Sequence, residues 1–478
     1  MTSPSSLGRF LAVFVLGFWI AACSDSDDSN GQGKADVSIT SNFESGNIGR
    51  AERAGDAEWD LYLKDDNNDA SLPVNWRNWW YIRIRQQGEA QTLTLNLKNR
   101  GWNYFYVPVY SYDRLNWFRL DESDVKQVGA SETCNSTTQS PVLDDCELSM
   151  RLDASLFDGR PLYLARFYPY TYSQLLTFLK TLEGHECVDQ SSVGRTAVFQ
   201  ESIPYLTIRC PDGDDSQVVW VHGRTHPAES GSSFVLEGAI TRLLDDMEEN
   251  RNNSRNLAVH IVPMHNVDGV IAGNYRTTPD SLNLEVLWTF DQASLPFLKS
   301  DAPLENRLVN EPMRTVSQMF ADRSLIALNL HSSNSAPDRP VFAFPHFGDD
   351  PDQYSAEEIQ LWNDSNRLLN LLKINYDGRI DTTATGGDGF LNAFFPETWW
   401  WRTRAETAVA MTVETTYGRA GFPHWVTETN IRELGSSLIQ SIYDYRDGVV
   451  PETPINLLRS DGQAEPVFAP MDEWDTKH

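Results

Sequence analysis

Residues 218–262 run VVWVHGRTHPAESGSSFVLEGAITRLLDDMEENRNNSRNLAVHIV. The stretch opens on Val218-Val219-Trp220-Val221 and closes on Leu257 to Val262. Both are short, nearly continuous apolar runs, the signature of strands buried on both faces. Between them Phe234, Leu236, Ala239, Ile240, Leu243, Leu244 and Met247 form one helical stripe. A third apolar run follows at Leu325 to Leu330. Strand, helix and strand in alternation predict an α/β fold, with a mixed, mostly parallel sheet flanked by helices. Ligands of such sheets gather at the carboxyl ends of the strands, so chemistry is sought there.

Upstream, from about Val37 to Ala165, the pattern is different. Tyr81-Ile82-Arg83-Ile84-Arg85 and Thr92-Leu93-Thr94-Leu95-Asn96-Leu97 alternate apolar and polar residues, the period of a half-buried antiparallel strand. Turn residues such as Gly88 and Arg100-Gly101 interrupt the runs, which predicts an antiparallel β-sandwich. Its tryptophans read as core, with a sugar-binding face as the alternative. The expected organisation is a signal peptide at 1–23, a tether at 24–36, the sandwich at 37–170, the α/β domain at 171–449 and a tail at 450–478.

The 478 residues allow two or three domains, and 40% hydrophobic with 22% charged content excludes a collagen-like, wholly disordered or multispan membrane chain. With 39 basic against 67 acidic residues the net charge is -28, which excludes nucleic acid as a partner. The leader carries Arg9 and then an apolar stretch from Phe10 to Ile20, too short to cross a hydrocarbon core that needs ~20 residues. It reads as an export signal, with a buried N-terminal helix as the alternative. Ile20-Ala21-Ala22-Cys23 resembles the cleavage box of bacterial lipoproteins. That resemblance implies a lipid on Cys23 as the only membrane contact and, with Ser24 next, an outer-membrane location in the cell envelope. Cys134, Cys146, Cys187 and Cys210 remain, an even set with three possible pairings. Loop closure favours the sequence neighbours, and the absence of Cys-x-x-Cys spacing argues against a thiolate zinc cluster.

Just past the strand at Val221 stands His226-Pro227-Ala228-Glu229. An imidazole and a carboxylate three apart at a turn can reach one zinc ion and leave positions open. His331, at the end of the run Leu328-Asn329-Leu330-His331, is the third candidate ligand, and His222 is the nearest rival. In Thr412-Val413-Glu414-Thr415 an acid lies inside an apolar strand, where it needs either a buried ion pair or a catalytic task. Zinc lowers the pKa of water to about 7, and a nearby carboxylate can take the proton and return it to a departing amine. Arg276, in Gly273-Asn274-Tyr275-Arg276, is a candidate for oxyanion stabilisation.

Together with Pro263-Met264-His265-Asn266-Val267-Asp268-Gly269 and Ser281-Leu282-Asn283-Leu284, these motifs occur in an order that resembles the zinc metallocarboxypeptidases of the carboxypeptidase A type. The resemblance covers roughly 172–447. It implies one Zn2+ held by His226, Glu229 and His331, general base and acid at Glu414, oxyanion stabilisation by Arg276, and substrate contacts by Asn274 and Asn283. Ile39-Thr40-Ser41-Asn42-Phe43-Glu44-Ser45-Gly46-Asn47-Ile48, Trp79-Trp80-Tyr81 and Phe167-Tyr168-Pro169-Tyr170 are similar to the cytosolic carboxypeptidase branch, which carries a β-sandwich ahead of the catalytic domain. The activity implied is hydrolysis of a peptide or amide bond, with a peptide or peptidoglycan-stem substrate and a monomeric chain. A surface protein that binds a polymer without turnover is the alternative. Leu284 stands where the family holds a substrate's terminal carboxylate with arginine, and Arg402, Arg404 and Arg419 are candidate substitutes. No tyrosine lies between Tyr376 and Tyr417; Phe390 to Trp401 occupies that region.

Overall fold

The computed structural model describes residues 36–129, 146–333, 336–344, 355–381 and 394–451. The leader, all of the tether but Asp36, Cys134 and the tail from 452 onward lie outside the described residues. No helix among the described residues is long and apolar enough to cross a membrane.

Two five-stranded sheets make the N-terminal sandwich. One runs in the order β1 (Asp36–Thr40), β4 (Tyr81–Gln87), β10 (Leu162–Ala165), β6 (Val109–Ser111) and β7 (Trp117–Arg119). The other runs β2 (Arg50–Arg53), β3 (Glu58–Tyr62), β5 (Leu93–Lys98), β9 (Glu147–Leu152) and β8 (Val125–Val128). Ile82, Ile84, Leu162 and Leu164 face Leu61, Leu95, Leu97, Leu148 and Met150 in a closed core. Each such side chain contributes about 1.5–3 kcal/mol on burial. The alternation in β4 turns Tyr81 the other way, into the core of the α/β part, so one strand serves both domains. Trp76, Trp79 and Trp80 are buried core residues. One pairing departs from the antiparallel expectation: β3 and β5 are parallel, because the chain crosses to the other sheet for β4 before it returns.

A seven-stranded sheet follows, ordered β11 (Val188–Arg195), β12 (Ser202–Ile208), β14 (Leu257–Val262), β13 (Gln217–Gly223), β15 (Leu325–Ser333), β17 (Ala408–Thr416) and β16 (Phe342–Phe344). β14, β13, β15 and β17 form a central parallel block. The edge pairings are antiparallel, so the sheet is mixed, with parallel pairing confined to its centre. Among the described residues seven helices accompany it: α1 (Tyr172–Thr181), α2 (Gly231–Glu248), α3 (Val267–Ala272), α4 (Leu304–Met319), α5 (Ala356–Asn375), α6 (Pro396–Arg404) and α7 (Glu428–Arg446).

The strand period sorts these helices between the two faces. Gly223 lies against Leu236 of α2, whereas Trp220, of opposite parity, meets Trp400 of α6 at 5.9 Å between ring centroids. His222 shares the Trp220 face. Through the registers His222↔Asn329 and His331↔Glu414, so do His331 and Glu414. On the opposite face α7 crosses α2 at Gly238 and Gly435. A Cβ on Gly435 would fall 1.9 Å from the Val235 carbonyl oxygen, so only glycine permits this approach.

Candidate metal centre

The strand β13 ends at Gly223, and the chain turns sharply through Arg224, whose φ of 59° is left-handed. The turn is held from inside. Arg224 is 3% exposed and donates to the carbonyls of Tyr170 (2.8 Å) and Pro227 (3.0 Å) and to Ser233 Oγ (3.0 Å). Burial lowers its pKa to about 10, which leaves it charged at neutral pH. This brace places His226 and Glu229 over the carboxyl end of the sheet, immediately before α2.

His331 reaches the same point from the end of β15. Its Nδ1 lies 3.1 Å from His226 Nδ1 and 2.7 Å from Glu229 Oε2, and His226 Nδ1 lies 2.9 Å from Glu229 Oε1. All three residues are buried, with their ligand atoms within 4.8 Å of one another. The opposite ring nitrogens settle the tautomers. His331 Nε2 is 3.2 Å from Glu285 Oε2, a pure acceptor at neutral pH. His226 Nε2 is 3.2 Å from Asn283 Oδ1, and that oxygen also accepts from the Glu285 backbone N–H, which fixes the amide's orientation. Both Nε2 atoms therefore carry hydrogens, and the rings, when neutral, present two Nδ1 lone pairs to each other beside a carboxylate. Two lone pairs at 3.1 Å repel unless a cation lies between them.

The electrostatics point the same way. Burial alone would raise Glu229, but the two imidazoles outweigh it and hold its carboxyl well below the usual range. Burial would lower His331, yet Glu285 and Glu229 raise it well above an ordinary imidazole. His226 is lowered, by burial first and by the Arg276 guanidinium next. The site demands positive charge, and its donor set of two imidazoles and one carboxylate fits zinc in an open coordination.

Glu414 stands on β17 directly beside His331, as its register partner between parallel strands on the same sheet face. It is 3% exposed. Arg276 is also buried, with its guanidinium over the Trp76 ring at 5.3 Å, and its charge acts on His226.

The amide of Asn274 donates to Asn67 Oδ1 (2.8 Å) and to the Thr277 carbonyl (3.0 Å), bracing its own loop. Asn283 accepts through Oδ1 from His226 Nε2 and caps the short 3-10 turn Leu284–Val286. His222 stands outside the cluster of His226, Glu229 and His331, and its Nδ1 accepts from the Trp220 indole N–H at 3.2 Å. Leu284 is fully buried. Of its candidate substitutes, Arg404 donates to the Ser317 and Phe320 carbonyls, and Arg419 pairs with Glu122 and Asp338. Arg402 stays exposed on α6. Sequence reasoning missed Arg224 and gave Glu285 no part; an acid two residues past Asn283 was the available signal. Cys187 and Cys210 are bridged, as loop closure favoured.

Comparison with known proteins agrees with this geometry. Residues 39–139 match the cytosolic carboxypeptidase N-terminal domain, and residues 175–289 match the zinc carboxypeptidase family. Cytosolic carboxypeptidase 6 of Mus musculus is 29% identical over 302 residues, 60% of this chain and 53% of that protein. The Caenorhabditis elegans cytosolic carboxypeptidase 6 is 25% identical over 319 residues, 64% of each. The chain thus spans about half to two thirds of the length of these curated relatives. A metallo-carboxypeptidase from Burkholderia cenocepacia shares the fold with a TM-score of 0.67 at 20% identity, over 86% of this chain and 99% of that one. One from Pseudomonas aeruginosa, solved with (2-guanidinoethylmercapto)succinic acid, superposes with a TM-score of 0.65 at 20% identity, over the same shares. The chain described here accordingly resembles a cytosolic carboxypeptidase N-terminal domain over residues 39–139 and the zinc carboxypeptidase family over residues 175–289.

Proposed function

We propose that the protein is a zinc-dependent metallocarboxypeptidase that hydrolyses a peptide or amide bond, with His226, Glu229 and His331 holding the ion. One observation carries this reading: two imidazole Nδ1 atoms and a carboxylate converge, with the buried Glu414 next to them on the adjoining strand. Zinc, when bound, supplies Lewis-acid polarisation of a carbonyl and lowers the pKa of water to about 7. The Glu414 carboxylate takes the proton of the attacking water and then delivers it to the leaving amine nitrogen. Arg276 directs its N–H groups at the oxyanion, where a buried, preorganised charge is worth more than in solvent. Asn283 and Glu285 hold the ring tautomers that expose Nδ1.

The test is amino-acid release from a peptide panel by protein loaded with one zinc per chain. Glu414→Gln should retain the metal and lose activity by at least about a thousandfold. A fully loaded wild type that cleaves nothing, or an active Glu414→Gln, contradicts the proposal.

The same reading places the enzyme in the bacterial cell envelope, at the outer membrane, through a lipid on Cys23, acting as a monomer on peptidoglycan stems or nutrient peptides. The box Ile20–Cys23 supports export, as does the Cys187–Cys210 disulfide, a bond that persists in oxidising compartments. Labelled palmitate should enter the wild type and not Cys23→Ala.

A further inference from the structure

We infer that Asp66, a side chain of the N-terminal domain, is a positioning residue for the oxyanion arm Arg276, so that the hydrolytic centre is completed from outside the catalytic domain. The inference rests on the role given to Arg276 above.

Asp66 is 1% exposed and begins the 3-10 turn Asp66–Asn68 that follows β3. Its carboxylate accepts four hydrogen bonds from the loop after α3. Oδ1 takes the Tyr275 N–H at 2.6 Å; Oδ2 takes the N–H groups of Arg276 (2.8 Å) and Thr277 (2.9 Å) and the Thr277 hydroxyl (3.1 Å). Three successive amides aimed at one anion form a concave nest. Arg276 lies at its centre, so its Cα cannot rotate without breaking bonds on both sides.

A second set of contacts fixes where the loop starts. Ser45 Oγ donates to the Val270 carbonyl at 2.7 Å, and Asn47 Nδ2 donates to the Gly273 carbonyl at 2.6 Å; both carbonyls belong to the C-terminal end of α3. Gly273 has a φ of 72°, and a Cβ there would lie 2.5 Å from the Gly46 carbonyl oxygen, so only glycine allows the sandwich to approach this closely. Asn67 adds hydrogen bonds to Asn274 and to the Thr278 carbonyl, both at 2.8 Å. Trp76, another N-terminal residue, underlies the guanidinium at 5.3 Å. Backbone, helix end and side chain of the arm are thus each held by the same neighbouring domain. A buried carboxylate carries a desolvation cost, offset here by three amides that would otherwise lack an acceptor. Its return is a fixed direction for one charge, which is what oxyanion stabilisation requires. The Ser45-Gly46-Asn47 segment, noted above only as a mark of kinship, acquires a task in this account.

The test is a double-mutant cycle in the full chain with Asp66→Asn and Arg276→Ala. Asp66→Asn keeps the shape and places an NH2 group against one of the loop amides. It should lower kcat about 30-fold with KM within about twofold, and weaken a phosphonate transition-state analogue by the same factor. Zinc affinity should not change. In the Arg276→Ala background the same substitution should cost less than about twofold, because Asp66 acts through that arginine. An unchanged kcat, or an equal 30-fold loss in both backgrounds, overturns the inference. Hydrogen exchange gives a readout that does not need turnover: the amides of residues 275–277 should lose protection in Asp66→Asn, while those of β13 and β15 keep it. A zinc-loaded wild type without hydrolytic activity would defeat the hydrolase reading instead, and unaltered protection of 275–277 would still count against the clamp by itself.

Discussion

Replacing Glu285 by glutamine removes a charge and leaves the shape of the site unchanged. The carboxylate is fully buried, accepts from His331 Nε2 at 3.2 Å and is steadied by Asn329 Nδ2 at 2.9 Å. A hydrogen bond to a charged acceptor contributes about 1.5–3 kcal/mol and a neutral one about 0.5–1.5 kcal/mol, so the substitution should cost roughly 1–1.5 kcal/mol of ring orientation and basicity. At 1.4 kcal/mol per decade this is about a tenfold rise in the zinc Kd, at the lower end of the losses found when such supporting partners are removed. Glu285→Ala leaves both the His331 N–H and the Asn329 amide without an acceptor and should weaken binding further. Competition against a chromophoric chelator measures both constants at fixed pH. A zinc Kd within twofold of wild type in Glu285→Gln would refute the claim that His331 owes its ligand geometry to this acid.

Other outcomes follow from the packing and the protonation states. Gly435→Ala drives a methyl group into the Val235 carbonyl at the α2–α7 crossing and should destabilise the chain by about 3 kcal/mol, read from its urea midpoint. Opening the Cys187–Cys210 bridge, whose 23-residue separation corresponds to about 3 kcal/mol of loop-closure entropy, should lower the midpoint by a similar amount. Burial lowers both His222 and His260 from 6.5 to about 4, so each contributes stability that is complete above pH 6.5 and lost as pH falls toward 4. At 1.36 kcal/mol per unit that is about 3 kcal/mol for each, and His260→Gln should show a visibly shallower loss of stability between pH 7 and 5.

Much of the site could be read from the chain before it folded. His226 and Glu229 are three apart at a turn, and His331 and Glu414 each end or interrupt an apolar run, so strand ends and ligand chemistry coincide along the sequence. The sheet was legible for a similar reason, since the buried runs of β13, β14, β15 and β17 have no polar alternation. What the sequence withheld was pairing. That His331 and Glu414 are neighbours depends on the β15–β17 register, and no local pattern carries it. Nor does any local pattern give the partners of the Asn274 and Asn283 amides, which depend on the groups the fold brings near, here Asn67, Thr277 and His226. Arg224 carries no signal in the sequence, because the acceptors that surround it, on Tyr170, Pro227 and Ser233, are brought together only by the fold. Asp66 lies 210 residues from Arg276, too far for any window along the chain to connect them.

The most direct test of the metal centre is anomalous diffraction at the zinc edge from crystals of the purified protein. A single strong peak bounded by His226 Nδ1, His331 Nδ1 and the Glu229 carboxylate, with Glu414 facing it uncoordinated, is the predicted result. Zinc-soaked crystals with no peak there, or with the ion bound through Nε2 after both rings have turned, would contradict it.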